Sequence, residues 1–387
     1  MHAEKIEPIL RFWRGENAIY IHYLPSWPAF PWRQESLANQ LAAVSRKQGR
    51  LIGRMEALGF NLRAEAVLET LTEEVTKSGA IEGETLDKGQ VRSSLARRLG
   101  MEVAGLKAPD RDTEGVAEMM IDATQNYAAP LTAERLFAWH AALFPSGRSG
   151  MTRIVVGAWR TGASGPMEVV SGPYGKERVH FEAPTYDRID AEMAAFLEWF
   201  EGEQAIDPVI KAAVAHLWFV TIHPFEDGNG RIARAIADMA LARSEESPQR
   251  FYSMSAQIRI GRKAYYDILE STQKGDLDIT EWLRWFLTCL DQAFDGAAAT
   301  LSNVIQKARF WDAIADEKLN ERQRAMLNRL LDGFEGKLTS TKWAKITRAS
   351  QDTASRDIND LVTRGILVKE GAGGRSTNYS LVLPSAD

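Results

Sequence analysis

Positions 223–234 read His-Pro-Phe-Glu-Asp-Gly-Asn-Gly-Arg-Ile-Ala-Arg, gathering an imidazole, a carboxylate, a Gly-Asn-Gly turn and two guanidinium groups. Each has a distinct chemical use. His223 can accept a proton near neutral pH. Asp227 is a hard oxygen ligand suited to Mg²⁺, which keeps several waters and needs only one or two protein carboxylates beside phosphate oxygens. Gly228 and Gly230 permit backbone conformations closed to other residues, so that consecutive N–H groups around Asn229 can converge on a phosphate where a helix begins. Arg231 and Arg234, three apart on the first turn of that helix, can add charge-assisted hydrogen bonds to further phosphate oxygens. Phe225, between the histidine and the aspartate, reads as the core anchor of the loop.

Two helices must hold this run. Asp207 and Pro208 mark a helix start, a capping carboxylate followed by proline at the first position, and 209–222 is apolar almost all round, as in a central buried helix. Downstream, Ile232, Ile236, Met239 and Ala240 give 231–243 the spacing of a core-facing helix. Apolar periodicity predicts further helices at 35–59, 63–76, 87–99, 113–127, 132–143, 187–200, 259–274, 282–290 and from 297 to about 319. Between 144 and 184 glycines alternate with short β-prone runs, and 167–170 with 178–181 predicts a hairpin. His180, on that hairpin, reads as a surface group rather than a second base. His216, seven residues before His223, reads as its buried neighbour. In the first 35 residues Trp13, Tyr20, Tyr23, Trp27, Phe30 and Trp32 are interleaved with prolines, which suggests an aromatic arm packed on the core.

Composition sets the outer bounds. The chain has 387 residues, 45% of them hydrophobic, and a formal net charge of −5, enough for a large core in two or three domains. Mild acidity argues against a general nucleic-acid binder. Cys289 is the one cysteine, so no disulfide forms within the chain, and a reducing, cytoplasmic setting is expected. No segment approaches the ~18 uninterrupted apolar residues of a membrane span.

The 223–234 run resembles the signature of the Fic family, His-Pro-Phe-x-(Asp/Glu)-Gly-Asn-Gly-Arg-x-x-Arg, at every fixed position. The resemblance implies a mainly α fold, a helical core with a β-hairpin flap, and a protein adenylyltransferase that moves AMP from Mg-ATP onto the hydroxyl of another protein's Ser, Thr or Tyr. In that role His223 is the base and Asp227 the metal ligand. Asn229 with Gly228, Gly230 and Arg231 forms the anion hole, and Arg234 meets the γ-phosphate. Tyr265, Tyr266 and Gln273 are implied to border the adenine pocket, and the hairpin to lay the target beside it as an added strand. N-terminal to this core, Ser78-Gly-Ala-Ile-Glu82-Gly83 resembles the inhibitory motif (Ser/Thr)-x-x-x-Glu-(Gly/Asn) of a subset of the family, whose glutamate pairs with the second arginine.

The C-terminal quarter predicts helices at 322–331, 340–346 and 350–364, then strands at 366–369 and 378–382 around a 371–375 loop, the order of a winged helix. There Arg348, Arg356, Arg364 and Arg375 are offset by Asp352, Asp357, Asp360 and Glu370, so DNA, another protein and a second copy of the chain stay open as partners. The expected domains are 1–105 with the inhibitory helix, 106–300 as the Fic core, and 301–387 as linker helix and winged helix. Removal of AMP, transfer of another phosphate-containing group, self-modification, and nucleotide sensing by a DNA-binding regulator remain alternatives.

Overall fold

A computed structural model describes residues 20–101, 108–173, 175–331, 334, 336–370 and 377–383, apart from the side chains at 60 and 164. Trp13, the 371–375 loop and positions 106 and 107 of the expected domain junction lie outside these residues. The fold is mainly α. Its helices are α1 (Gln34–Glu56), α2 (Phe60–Ile81), α3 (Lys88–Arg98), α4 (Arg111–Gln125), α5 (Ala133–Leu143), α6 (Ile189–Glu201), α7 (Pro208–Ile222), α8 (Asn229–Ser244), α9 (Met254–Ile260), α10 (Arg262–Gln273), α11 (Thr280–Ala313), α12 (Glu321–Leu331), α13 (Ser340–Thr347) and α14 (Gln351–Thr363). Among the described residues three antiparallel two-stranded ribbons accompany them: β1 (Arg148–Ser149) with β2 (Thr152–Arg153), β3 (Glu168–Ser171) with β4 (Arg178–Glu182), and β5 (Leu367–Lys369) with β6 (Tyr379–Leu381).

Helix α7 is the axis of the larger core. Asp207 caps it by accepting from the Val209 N–H at 2.8 Å, Pro208 opens it, and every residue from Val209 to Ile222 except Lys211 is buried. An apolar helix of this kind has to be surrounded, and α6, α8 and α11 pack against it. One apolar cluster runs from Leu37 to Val304, so the expected 1–105 and 106–300 parts share a core. A second cluster gathers Phe310, Met326, Leu327, Trp343, Ile358 and Leu367 in the C-terminal part. There Asp357, expected to offset the arginines at the surface, is turned inward to Arg322 at 2.8 Å and Asn320 at 2.9 Å.

Three elements differ from expectation. The helices read at 282–290 and 297–319 are one 34-residue helix, α11, because Gly296 between them costs only a modest propensity loss and fits beside Gln257. The helix read at 259–274 is instead α9 and α10, separated at Gly261. Helix α2 continues beyond 76 to Ile81, which makes Glu82 its terminal cap, followed by Gly83 at φ 89°. The aromatic arm does pack on the core: Trp27 donates to Glu192 at 2.8 Å, and Tyr20 sits edge-on to Phe181 of β4 at 5.1 Å.

Helices α4 and α5, which support the loop after α7, approach unusually closely at Gly115. A Cβ there would lie 1.7 Å from the Ala142 carbonyl oxygen, a backbone atom that cannot step aside cheaply. Gly115→Ala should therefore destabilise the protein by about 1–3 kcal/mol, as overpacking does. A thermal melt reads this as a lowered midpoint; an unchanged midpoint would mean that the two helices separate freely.

Candidate active site

Helix α7 ends at His223, which adopts the left-handed conformation (φ 53°, ψ 57°) just before Pro224, where no helix can continue. Arg160 fixes this corner, its Nε donating to the His223 carbonyl at 2.8 Å and its N–H to the Pro224 carbonyl at 2.9 Å. The His223 ring is half-buried, with Nδ1 3.1 Å from the Val220 carbonyl oxygen. A carbonyl only accepts, so Nδ1 carries the proton and Nε2 is left with its lone pair. Burial lowers the imidazole to about 4, against the opposing pull of the Val220 carbonyl, so the ring is neutral at pH 7.

The loop to α8 is closed by its own side chains. Asn229 accepts from the Phe225 N–H at 3.0 Å and donates to the Phe225 carbonyl at 2.8 Å. Its amide is thus spent on the loop, which leaves the backbone at this position, rather than the side chain, for an anion. Phe225 is fully buried and stacks on His140 at 4.1 Å, the anchor role expected of it. Gly228 takes φ 81° and donates to Asp227 Oδ1 at 2.6 Å. The other oxygen of Asp227 accepts from the Ser149 hydroxyl on β1. Helix α8 then starts at Asn229, where its first N–H groups have no carbonyl one turn back to bond.

These groups share a cavity of about 740 Å³ lined by His223, Asp227 and the 228–230 backbone on one side and by the β3–β4 hairpin and α10 on the other. Tyr265, Tyr266 and Gln273 also line it, at different depths. Tyr265 is buried with its hydroxyl 2.9 Å from His216 Nε2, so His216 is buried and hydrogen-bonded, with Tyr265 as its partner. Gln273 donates to Thr221 at 3.2 Å, and Tyr266 stands nearer the mouth.

The two arginines are not open to that cavity. Arg234, with 2% of its side chain exposed, is held 2.8 Å from Glu82 Oε1 and donates to the Ser78 hydroxyl at 2.9 Å and the Ser78 carbonyl at 3.1 Å. The second carboxylate oxygen of Glu82 accepts from Tyr266 at 3.1 Å. Gly230 makes room for this contact: a Cβ there would lie 2.2 Å from Glu82 Oε1. The carboxylate thus sits at the start of α8, where helix polarity favours negative charge. Arg231, 3% exposed, is paired in turn with Glu84 at 2.7 Å and lies over the Phe144 ring. Burial raises the Glu84 carboxyl above its ordinary value, opposed by Arg231 and reinforced by Asp227 and Glu82.

Glu84 and Ser149 escaped sequence reasoning. Glu84 lies one residue beyond the resemblance to the inhibitory motif, and Ser149 is one serine of a glycine-rich loop. His180 is a correction: it is half-buried on the cavity wall, between Ser171 and Glu270.

The donor set fits the groups that the resemblance implies. Among the described residues no three His, Cys, Asp or Glu side chains come together, so there is no protein cage for a metal. A carboxylate lining a cavity beside a helix start suits Mg²⁺, whose remaining ligands are waters and phosphate oxygens. Arg231 Nε and Arg234 Nη1 are buried without hydrogen-bond partners, the state of donors that an anion would complete. Among the described residues no helix is long and apolar enough to cross a membrane.

Residues 130–241 match the Fic/DOC family, and residues 20–101 match a domain of unknown function, DUF4172. The chain is 26% identical to the protein adenylyltransferase Fic of Culex quinquefasciatus over 292 residues, 71% of this chain and 53% of that protein. It is also 26% identical to the protein adenylyltransferase fic-1 of Caenorhabditis briggsae over 245 residues, 61% of this chain and 44% of that one. It spans about half the length of these relatives. A solved Fic family protein from Desulfovibrio desulfuricans, at 23% identity and a TM-score of 0.51, shares the fold over 94% of this chain and 100% of its own. A Fic domain containing signaling protein from Bacteroides thetaiotaomicron does so at 21% identity and a TM-score of 0.50, over 67% and 98%. The loop between α7 and α8 lies inside the segment, residues 130–241, that matches the Fic/DOC family.

Proposed function

We propose that this chain transfers AMP from ATP to a hydroxyl side chain of a protein, with Mg²⁺ at Asp227, and that Glu82 holds the site shut. The observation that carries the reading is a neutral His223, bare at Nε2, in one cavity with Asp227 and the open start of α8. The names of the relatives, protein adenylyltransferases, agree with it. As the acceptor oxygen attacks the α-phosphorus, its proton passes to His223 Nε2 and pyrophosphate leaves. The N–H groups at 229–231 take the developing charge on the α-phosphate, in the manner of an oxyanion hole. Bound Mg²⁺ would neutralise charge on the donor phosphates. Tyr266 and Gln273 border the adenine, with Tyr265 beneath them, and the β3–β4 hairpin receives the target. We read 1–105, 106–300 and 301–387 as the working parts, the last a winged helix.

The test is incubation of the purified chain with Mg²⁺ and ATP labelled at the α-phosphate, alone and with cell lysate. Label on protein is expected. Label from the γ-position instead would make the enzyme a kinase. Asp227→Ala should abolish transfer and, measured separately by titration, the Mg²⁺ dependence of nucleotide binding. Nucleotide affinity in that variant that still rises with Mg²⁺ would remove Asp227 as the ligand.

A further inference from the structure

The pairing of β3 with β4 shifts between Val169 and Val170: Val169 faces Phe181 and Val170 faces Val179, which leaves His180 as the extra residue of a bulge. Bulges re-aim side chains, and this one carries the imidazole to α10, where Nδ1 lies 2.6 Å from Glu270 Oε2. The same carboxylate is 2.8 Å from Arg178 and 2.7 Å from Lys274. Although burial pushes the Glu270 carboxyl up, hydrogen bonds from Lys274, His180 and Arg178 outweigh it and hold the group at about 2, so it is an anion at neutral pH. A carboxylate only accepts, so whenever the ring carries a single proton that proton sits on Nδ1 and the lone pair on Nε2. That lone pair faces the Ser171 hydroxyl at 2.5 Å.

Carboxylate, imidazole and hydroxyl in this order form the arrangement that activates a hydroxyl as a nucleophile. A brace between hairpin and helix would not need it, since the pairing of Arg178 with Glu270 already ties β4 to α10. What His180 adds is a base against a serine that is exposed and lines the cavity shared with His223 and Asp227.

We propose that Ser171 is itself an acceptor of AMP, with His180 as its base and Glu270 as the group that orients the ring. The inference rests on the AMP-transfer reading above. The Ser171 Oγ bond to the α-phosphorus forms, the bond from that phosphorus to the pyrophosphate oxygen breaks, and the hydroxyl proton passes to His180 Nε2. A phosphodiester then tethers AMP to the hairpin inside the cavity, where it excludes a second ATP.

The experiment uses the full chain carrying Glu82→Gly, incubated with Mg²⁺ and ATP, its peptides mapped by mass spectrometry. AMP is expected on Ser171, at a rate independent of protein concentration because acceptor and site share one chain. Ser171→Ala should remove that modification. His180→Ala and, with less disturbance of packing, Glu270→Gln should each slow it by about 10²-fold or more, the share of a general base. AMP found on other residues or on lysate proteins, but not on Ser171, overturns the inference while AMP transfer stands. No AMP on any protein overturns both. Undiminished Ser171 labelling in both base variants overturns the assigned roles of His180 and Glu270.

Discussion

Replacing Glu82 by glycine is expected to raise AMP transfer by about 10²-fold, including transfer onto the chain itself. The carboxylate now neutralises Arg234 at 2.8 Å and occupies the space over Gly230 at the start of α8. On the proposed reading its negative charge there would repel a γ-phosphate and displace bound ATP from in-line attack, and a misplacement of about 1 Å is enough to cost about 10²-fold in rate. Removal also leaves Arg234 buried without its carboxylate partner, held by the Ser78 hydroxyl and carbonyl. An unpaired buried charge is costly, so the variant should melt at a lower temperature without nucleotide and gain more than the parent when ATP is added. Glu82→Gly combined with Arg234→Ala should lose the gain in rate, because the group being released is gone. An unchanged labelling rate in a folded, ATP-binding Glu82→Gly protein would reduce Glu82 to a helix cap. The Glu84 pair with Arg231 should restrain the site more weakly, since Glu84 is 42% exposed against 29% for Glu82 and solvent screens it.

Replacing His223 by alanine is expected to lower transfer onto other proteins by about 10²- to 10⁴-fold, the usual share of a general base, with ATP affinity nearly intact. On the proposed reading the phosphates would be met by the start of α8, Mg²⁺ and the arginines, none of which needs the imidazole. The variant is best made beside Glu82→Gly, where the starting rate is measurable. The pH dependence provides a second check. An ordinary histidine is half-protonated near pH 6.5, but burial holds His223 at about 4. Protonation removes the base, so activity lost through His223 should fall away only as pH drops toward 4, leaving a plateau through pH 6. Half-loss near pH 6.5 would mean that the ring is solvated in the working enzyme, and an alanine variant that still labels lysate proteins would exclude it as the base.

What could be read in the sequence follows the range over which each physical cause acts. The mainly α class, the buried α7 and the loop before α8 rest on spacing within a few residues, where capping, proline and periodicity operate. The 223–234 run was legible for the same reason: histidine, aspartate, glycines and arginines are contiguous, and their chemistry follows from residue type. Even locally, element ends were less clear, because α2 runs on to Ile81 and α11 passes Gly296 where packing outweighs propensity. Contacts between distant segments carried no periodic signal at all. Glu84 reaches Arg231 across 147 positions and Ser149 reaches Asp227 across 78, so only the packing of α2, β1 and α8 around α7 brings them together. His180 looked like a surface residue because a bulge and a carboxylate 90 positions away decide where its ring points. The protonation state of His223 was likewise undecided by its identity. It depends on one carbonyl, that of Val220, and on the exclusion of water by the folded core, which exist only once α7 is buried.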